Sequence, residues 1–323
     1  MAVTPALRLV AVVVTHNRRD QLRITLERLL QSAPDVLAAI VVCDNASSDG
    51  TAQDLAAHKD PRVHVVTLDD NLGGAGGFNA GMRAAMAEHS PDWIVLMDDD
   101  GRPKDSALAA FHATQRDTAD VWAGATTYPN GDICEMNRPW MNPFASFGGF
   151  LVSLVKGRSG YHLGNDAYSS TALRAIDGAS FVGVFIAAKT VEKHGYPDPA
   201  LFLYGDDVLY TLGLSQAGET LMFDPSMRFE HDCETLSENS AVMRPLWKVY
   251  FFHRNQILVY RRAAGPVLFW PVFALRFLQW RLRAKAYGDD RKQYLLLLKK
   301  ATRDGLCSRL GATRADIEDL LSR

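Results

Sequence analysis

The chain predicts an α/β fold: a doubly wound, mostly parallel sheet flanked by helices, with a helical extension at the C-terminal end. Two patterns carry this expectation. Runs of strand length, Leu9–Val14, Ala39–Cys43, Val63–Leu68 and Trp93–Met97, alternate with segments of helical apolar spacing. Beyond His231 the strand pattern stops, and Met243–Arg262, Pro266–Tyr287 and Asp289–Asp304 read as helices. A boundary is therefore expected near Glu234–Ser240, dividing a domain of residues 1–235 from a helical region of residues 236–323.

In chain order, the first strand passes through the turn Thr15-His16-Asn17 into a helix carrying Leu22, Leu26, Leu29 and Leu30. The second passes through the polar turn from Asp44 to Gly50 into a helix near Thr51. The third leads into a glycine-rich loop, after which Met82–Met86 reads as helix. From Thr127 to about Arg174 the regularity fails, with Pro139, Pro143, Gly148 and Gly149 punctuating an aromatic segment that holds Trp140, Phe144, Phe147 and Phe150. Such a stretch reads either as a lid or binding wall, or as a pair of short helices packed as core. Ser180–Ala187 then reads as a strand, Thr190–His194 as a short helix, and Met222–Phe229 as a strand broken at Pro225.

With 323 residues, 47% hydrophobic and 22% charged, the chain is long enough for one large domain and an appendage. Thirty-five basic and 37 acidic residues leave a net charge of −2, which argues against a nucleic-acid partner. Between Arg261 and Arg303, however, 11 Lys/Arg face only two acids, so that stretch carries +9. Cys43, Cys134, Cys233 and Cys307 show no CxxC pair and no zinc spacing, and read as reduced thiols. No signal peptide or membrane-spanning run is evident, so the expected location is cytoplasmic, or peripheral at the inner face of the cell membrane.

Four elements carry chemistry. Asp98-Asp99-Asp100 ends the apolar run Trp93–Met97, at the strand end where open α/β sheets bind ligands. Crowded carboxylates there suit a divalent cation bridging to a diphosphate; a solvated acidic turn is the competing reading, since Gly101 and Pro103 follow. Asn71-Leu72-Gly73-Gly74-Ala75-Gly76-Gly77-Phe78-Asn79-Ala80-Gly81 offers backbone N–H groups to an anion, or makes a tight strand-to-helix turn. It fits neither GxGxxG, because Asn79 stands where the last glycine belongs, nor a P-loop, because Met82 follows Gly81. Gly205-Asp206-Asp207 precedes a helical pattern, as a helix-start charge pair or as a firmly held general base. His231 closes the strand pattern, where a lone histidine is structural or a ligand.

Together these elements resemble the family 2 glycosyltransferases, inverting enzymes of the GT-A fold, from about Val10 to His231 and in family order. Thr15-His16-Asn17-Arg18 and Asp44-Asn45-Ala46-Ser47-Ser48-Asp49-Gly50-Thr51 match segments that hold the nucleotide. Asn71-Leu72-Gly73 and Asn79-Ala80-Gly81 match the loop after the third strand. The aspartate triplet matches the metal-binding DxD, and His231 the late histidine that completes the metal site. Gly205-Asp206-Asp207 matches the acidic pair that supplies the base, although Glu-Asp is the commoner form. The variant Gly-Gly-Ala-Gly-Gly-Phe, the triple Asp and Tyr250-x-x-x-Arg254-Asn255 resemble the bacterial galactofuranosyltransferases.

The resemblance implies a single displacement at an anomeric carbon, with UDP leaving. It implies Asp98, Asp100 and His231 around Mn²⁺ (or Mg²⁺), with nitrogen favouring manganese. Asp207 is implied as the base and Asp206 as its orienting partner. Asp98 and Asp99, with Thr15, Arg18, Asp44, Asn71, Gly76 and Gly77, are implied to hold the nucleotide-sugar; for Arg18 a solvated helix start competes. The implied donor is UDP-galactofuranose and the acceptor a surface glycan or lipid-linked hydroxyl. A dTDP-rhamnose transferase and a non-catalytic nucleotide-sugar-binding protein are the alternatives. Trp140 is a candidate to stack on acceptor sugar. The apolar and basic stretch through residues 261–303 suits a membrane surface, a packed helix or a homo-oligomer contact.

Overall fold

The computed structural model describes residues 7–114, 116–233 and 242–322. The expected boundary at Glu234–Ser240 lies outside the described residues. Four parallel strands make one half of the sheet: β1 (Leu9–Thr15), β2 (Ala39–Asp44), β3 (Val63–Thr67) and β4 (Trp93–Asp98), in the spatial order β3-β2-β1-β4. Every residue of β1 and β2 is buried, as expected of strands covered on both faces.

The crossovers are helical. They comprise α1 (Arg19–Leu30), α2 (Thr51–Ala56) and α3 (Gly73–His89). Alternation along β1 explains the layering. Val10, Val12 and Val14 point to the face packed with Phe78, Met82 and Ala85 of α3. Leu9, Ala11 and Val13 point to the face packed with Leu22, Leu26 and Leu29 of α1.

After β4 the sheet becomes mixed. The three-residue strand β5 (Gly101–Pro103) forms the far edge, followed by α4 (Ala107–Ala113) and β6 (Val121–Thr127). The irregular segment contains α5 (Phe147–Lys156) and α6 (Asn165–Ser169) before the short β7 (Arg174–Ala175). Then come β8 (Val184–Ala187), α7 (Ala188–His194), α8 (Asp206–Gln216) and β9 (Leu221–His231). β8 runs antiparallel between β4 and β6, whereas β6 and β9 are parallel.

Three local expectations are corrected. The glycine-rich stretch expected as a loop forms the first turns of α3, which begins at Gly73. The strand expected over Ser180–Ala187 starts only at Val184, because Gly183 takes a φ of +73°. Pro225 does not break β9; it sits where the register with β6 shifts after Gly124, an irregularity that spares the ladder a missing donor.

The C-terminal part is helical: α9 (Trp247–Arg283), α10 (Arg291–Leu306) and α11 (Arg314–Ser322). Gly265, at a φ of +64°, breaks α9 just before Pro266. These helices share a hydrophobic cluster that includes Tyr250, Phe251, Trp280, Tyr294 and Ile317. Among the described residues no helix is long and apolar enough to cross a membrane.

Candidate active site

Strand register assembles the site at one edge of the sheet. Thr15 pairs with Asp44 across β1 and β2, and Val14 pairs with Asp98 across β1 and β4. The ends of three parallel strands thus present Thr15, Asp44 and Asp98 side by side, where helix N-termini also point. The chain turns at the triplet because Asp99 donates its N–H to the Val14 carbonyl (3.0 Å) and its carbonyl accepts from the Thr25 hydroxyl (2.6 Å). It then runs as β5, antiparallel to β9, with Gly101 opposite His231. That pairing carries the imidazole onto the triplet.

His231 Nε2 lies 3.1 Å from Asp100 Oδ1, and Nδ1 lies 2.7 Å from Asn137 Oδ1. Donor atoms of Asp98, Asp100 and His231 all lie within 4.8 Å of one another. Two oxygens and a nitrogen converging from distant parts of the chain suit a divalent cation such as Mn²⁺. The electrostatics point the same way. Burial, then the charge of Asp100, raises Asp98 well above the ordinary carboxyl range, and the same causes push Asp99 up to about 7. At Asp100, burial is outweighed by the hydrogen bond and charge of His231, and then by Arg18, so that its pKa is lowered. His231 is raised to about 10: burial opposes its charge, but the hydrogen bonds to Asp100 and Cys233 and the charges of Asp100 and Asp98 together outweigh it. The corner is negative enough that Arg18 and a protonated His231 are its counter-charges.

Arg18 forms an ion pair with Asp100 and approaches Asp99 Oδ1 at 3.7 Å. It therefore belongs to the acidic corner, more than to the solvated helix start that competed for it. The Thr15 hydroxyl donates to Asp99 Oδ2 (2.8 Å), so this pair braces the triplet from β1. Asp44 is 1% exposed; its Oδ1 accepts from Ser47 N–H (3.0 Å), while Oδ2 is buried without a hydrogen-bond partner among the described residues. A buried acceptor left unpaired is costly and fits a donor group supplied by a ligand. The two polar segments expected to act together are joined: Asn17 N–H donates to Ser47 Oγ (2.9 Å), and Ser48 N–H to Asn17 Oδ1 (2.7 Å).

The glycines of α3 take a packing role. A Cβ on Gly77 would meet Val14 Cγ1 at 2.4 Å, and one on Gly76 would meet Leu72 Cβ at 2.3 Å. Gly77 lets the helix press on β1 and Gly76 lets Leu72 lie close over the first turn, so of the two readings of this stretch the tight strand-to-helix turn fits better than an exposed anion loop. Asn71 caps this helix, its Oδ1 accepting from Gly73 N–H (2.8 Å). Asn45, not singled out from sequence, holds the same turn: its Oδ1 accepts from Leu72 N–H (2.8 Å) and its Nδ2 donates to the Gly73 carbonyl (2.9 Å). A short polar side chain following a strand-end aspartate was its only sequence signal.

Asp206 and Asp207 open α8 behind Gly205, which has a φ of +78°. Burial, then the charge of Asp207, pushes Asp206 up to about 7; burial pushes Asp207 up to about 6. The charge of Asp206 also acts on Asp98, so the acidic pair and the triplet share one corner. Asp207 Oδ1 accepts from Val208 N–H (2.7 Å), and the side chain remains partly exposed while Asp206 is buried. Trp140, expected as an acceptor platform, is instead only 9% exposed, packed with Leu212 and Ala263 against Gly178.

The family "Glycosyl transferase family 2" matches residues 10–174. The galactofuranosyltransferase GlfT1 of Mycolicibacterium smegmatis is 33% identical over 228 residues, covering 70% of this chain and 71% of that protein. GlfT1 of Mycobacterium tuberculosis is 34% identical over 61% of each chain, so the match spans about three fifths of that relative. An undecaprenyl-phosphate mannosyltransferase of Micrococcus luteus is 34% identical over 53% of this chain and 70% of its own. Among solved structures, the mannosyltransferase PcManGT of Pyrobaculum calidifontis, in complex with GDP-Man and Mn²⁺, superposes with a TM-score of 0.53. It covers 99% of this chain and 79% of its own at 16% identity, a likeness of fold. The architecture is that of the GT-A glycosyltransferases, and the chain belongs to glycosyl transferase family 2.

Proposed function

We propose that this protein is an inverting, cation-dependent transferase that moves galactofuranose from UDP-galactofuranose to a hydroxyl of a surface glycan or lipid-linked acceptor. The observation that carries the reading is the convergence of Asp98, Asp100 and His231 within 4.8 Å, beside the acidic pair Asp206-Asp207. The donor assignment rests on the likeness to the galactofuranosyltransferases GlfT1, and the lipid-linked acceptor on the named polyprenol substrate of the mannosyltransferase relative.

In this reading the acceptor oxygen bonds to the anomeric carbon as the carbon–oxygen bond to UDP breaks, and UDP leaves with the electron pair. Asp207 takes the acceptor proton; its partial exposure lets an acceptor reach it, and its raised pKa suits a base that works near neutral pH. Asp206, buried next to it, orients it. Asp98, Asp100 and His231 would hold Mn²⁺, or Mg²⁺, which when bound would neutralise charge on the diphosphate. The unpartnered Oδ2 of Asp44 accepts from the nucleoside, and Thr15 and Arg18 hold Asp99 and Asp100 in register.

Residues 1–235 form the catalytic part and residues 236–323 a helical part that touches the membrane surface. After the break at Gly265, Val267, Leu275, Leu278 and Leu282 recur at helical spacing on an exposed stripe, with Trp270 60% exposed and Arg281 and Arg283 also exposed. An apolar stripe flanked by cations suits the interface of an anionic bilayer.

Calorimetry with UDP-galactofuranose, UDP-galactopyranose and dTDP-rhamnose, each with and without Mn²⁺, tests the donor. Mn²⁺-dependent binding that favours the furanose is expected; a preference for dTDP-rhamnose refutes the assignment. Co-sedimentation with anionic vesicles should fall as salt rises, and binding indifferent to salt removes the membrane contact.

A further inference from the structure

The imidazole of His231 has a second side. Its Nδ1 faces away from the acid triplet, toward Asn137 Oδ1 at 2.7 Å and Cys134 Sγ at 3.8 Å. Cys134 is fully buried and donates to the same Asn137 oxygen at 2.9 Å. Cys233 leaves the end of β9 two residues after His231, is partly exposed, and contacts the Met136 sulfur at 3.5 Å. The two Sγ atoms and a ring nitrogen of His231 all lie within 4.8 Å of one another. No zinc spacing announces this group in the sequence, because the pairing of β6 with β9 brings together segments that lie 97 positions apart in the chain.

We propose that Cys134, Cys233 and His231 Nδ1 form a second cation site, selective for thiophilic ions such as Zn²⁺, whose occupation shuts off sugar transfer. Thiolate sulfur selects zinc-class ions over Mn²⁺, which the oxygen-rich corner prefers. Zn–S distances of about 2.3 Å and Zn–N distances of about 2.0 Å put tetrahedral donors about 3.5–3.8 Å apart. From separations of up to 4.8 Å, the three donors need to close by at most about 1.3 Å, and Cys233 is the partly exposed member of the group. Binding releases the thiol protons and the Nδ1 proton of the imidazolium to solvent, and Asn137 Oδ1 stands ready as a fourth ligand.

Exclusion follows from the ring. A neutral imidazole has one in-plane lone pair to give, and its other nitrogen carries a proton. With a cation on Nε2, Nδ1–H donates to Asn137 Oδ1; with a cation on Nδ1, Nε2–H donates to Asp100 Oδ1. Both arrangements have a hydrogen-bond acceptor in place, so the neutral histidine serves one ion at a time. The exclusion rests on His231 belonging to the transfer cation; the thiolate site itself does not.

The test uses the full chain, freed of metal by chelation and kept reduced. Titration with Cd²⁺ should give sulfur-to-metal charge-transfer absorption that saturates at one ion per chain and is displaced by Zn²⁺. Cys233→Ser should weaken this binding at least about tenfold, and Cys134→Ser should do the same with the fold checked by circular dichroism. Zn²⁺ should inhibit transfer in wild type, with relief as Mn²⁺ is raised, while Cys233→Ser turns over normally and resists zinc. Folded wild-type protein without thiolate absorption, or absorption unchanged in both variants, overturns the site. Thiolate binding that leaves the electron-spin-resonance signal of bound Mn²⁺ unaltered overturns the exclusion. Because these readouts are spectroscopic, a failure of the sugar-transfer reading is seen separately, as absent turnover.

Discussion

Asn255 donates its side-chain amide to the Tyr204 carbonyl at 2.8 Å, two residues before Asp206. The same Nδ2 also serves the carbonyls of Leu201 and Leu203, each at 2.9 Å, and Arg254 adds a bond to Leu201 at 2.7 Å. Both side chains are fully buried in α9. They hold a loop in which Phe202 (φ +62°) and Tyr204 (φ +70°) occupy left-handed backbone that neither residue favours. The sequence element Arg254-Asn255 is therefore the clamp of the acidic pair, reaching it from the helical region.

Removing the clamp should loosen the base without touching the nucleotide. Asn255→Ala should cost about 1–3 kcal/mol of stability, because buried carbonyls lose their donor. Turnover should fall on the order of a hundredfold, since a displacement of about 1 Å is enough for that. Thermal melts and kcat measure the two effects, and near-normal kcat in a destabilised variant would show that the clamp is structural only.

Asp207→Asn should lower kcat by about 10²–10⁴-fold while affinity for UDP and Mn²⁺ holds. Asp206→Asn should be milder if it only orients its neighbour. Steady-state rates beside calorimetric UDP binding distinguish them, and the reverse order of severity exchanges the two roles.

The acidic pair also sets a pH dependence. Burial raises Asp207 to about 6 and Asp206 to about 7, and the base proposed at Asp207 would work ionised, so kcat/KM should rise as pH passes through that range. Stability of the ion-free protein should move oppositely. Carboxyls raised from 3.8 to about 7 hold protons in the fold that the unfolded chain has released, so stability falls as pH climbs between those values. His231, raised from 6.5 to about 10, adds stability that is full below 6.5 and lost as pH rises through 10. Melts from pH 4 to 8 should slope downward without ions and flatten with Mn²⁺ and UDP.

Gly77→Ala should destabilise by about 1–3 kcal/mol, since its new methyl falls 2.4 Å from Val14 Cγ1. Val14→Ala in the same chain should return part of that loss. Additive effects in chemical denaturation would mean that the helix shifts as a body.

Much of this was legible. Val12 or Leu96 can hardly be anything but core, and runs like theirs locate four strands within a residue or so. The triplet and the Asp206-Asp207 pair announce themselves by charge density at element ends. Long-range pairing stayed hidden. Gly101–Pro103 is too short and too polar to read as a strand, yet it is what delivers His231 to Asp100. The stretch from Gly73 to Gly77 reads as a loop by propensity, and only the tight seat against Val14 turns it into helix. Asn45 and Arg18 have partners chosen by strand register, which local pattern does not contain.

The pairing of β5 with β9 also sets a temporal order. The imidazole follows its carboxylate partner by 131 positions, so a chain still leaving the ribosome displays the acids long before the histidine that pairs with them exists. Half-made protein therefore lacks the histidine corner of the proposed centre, and the Asn255 clamp on the acidic pair follows later still, with α9.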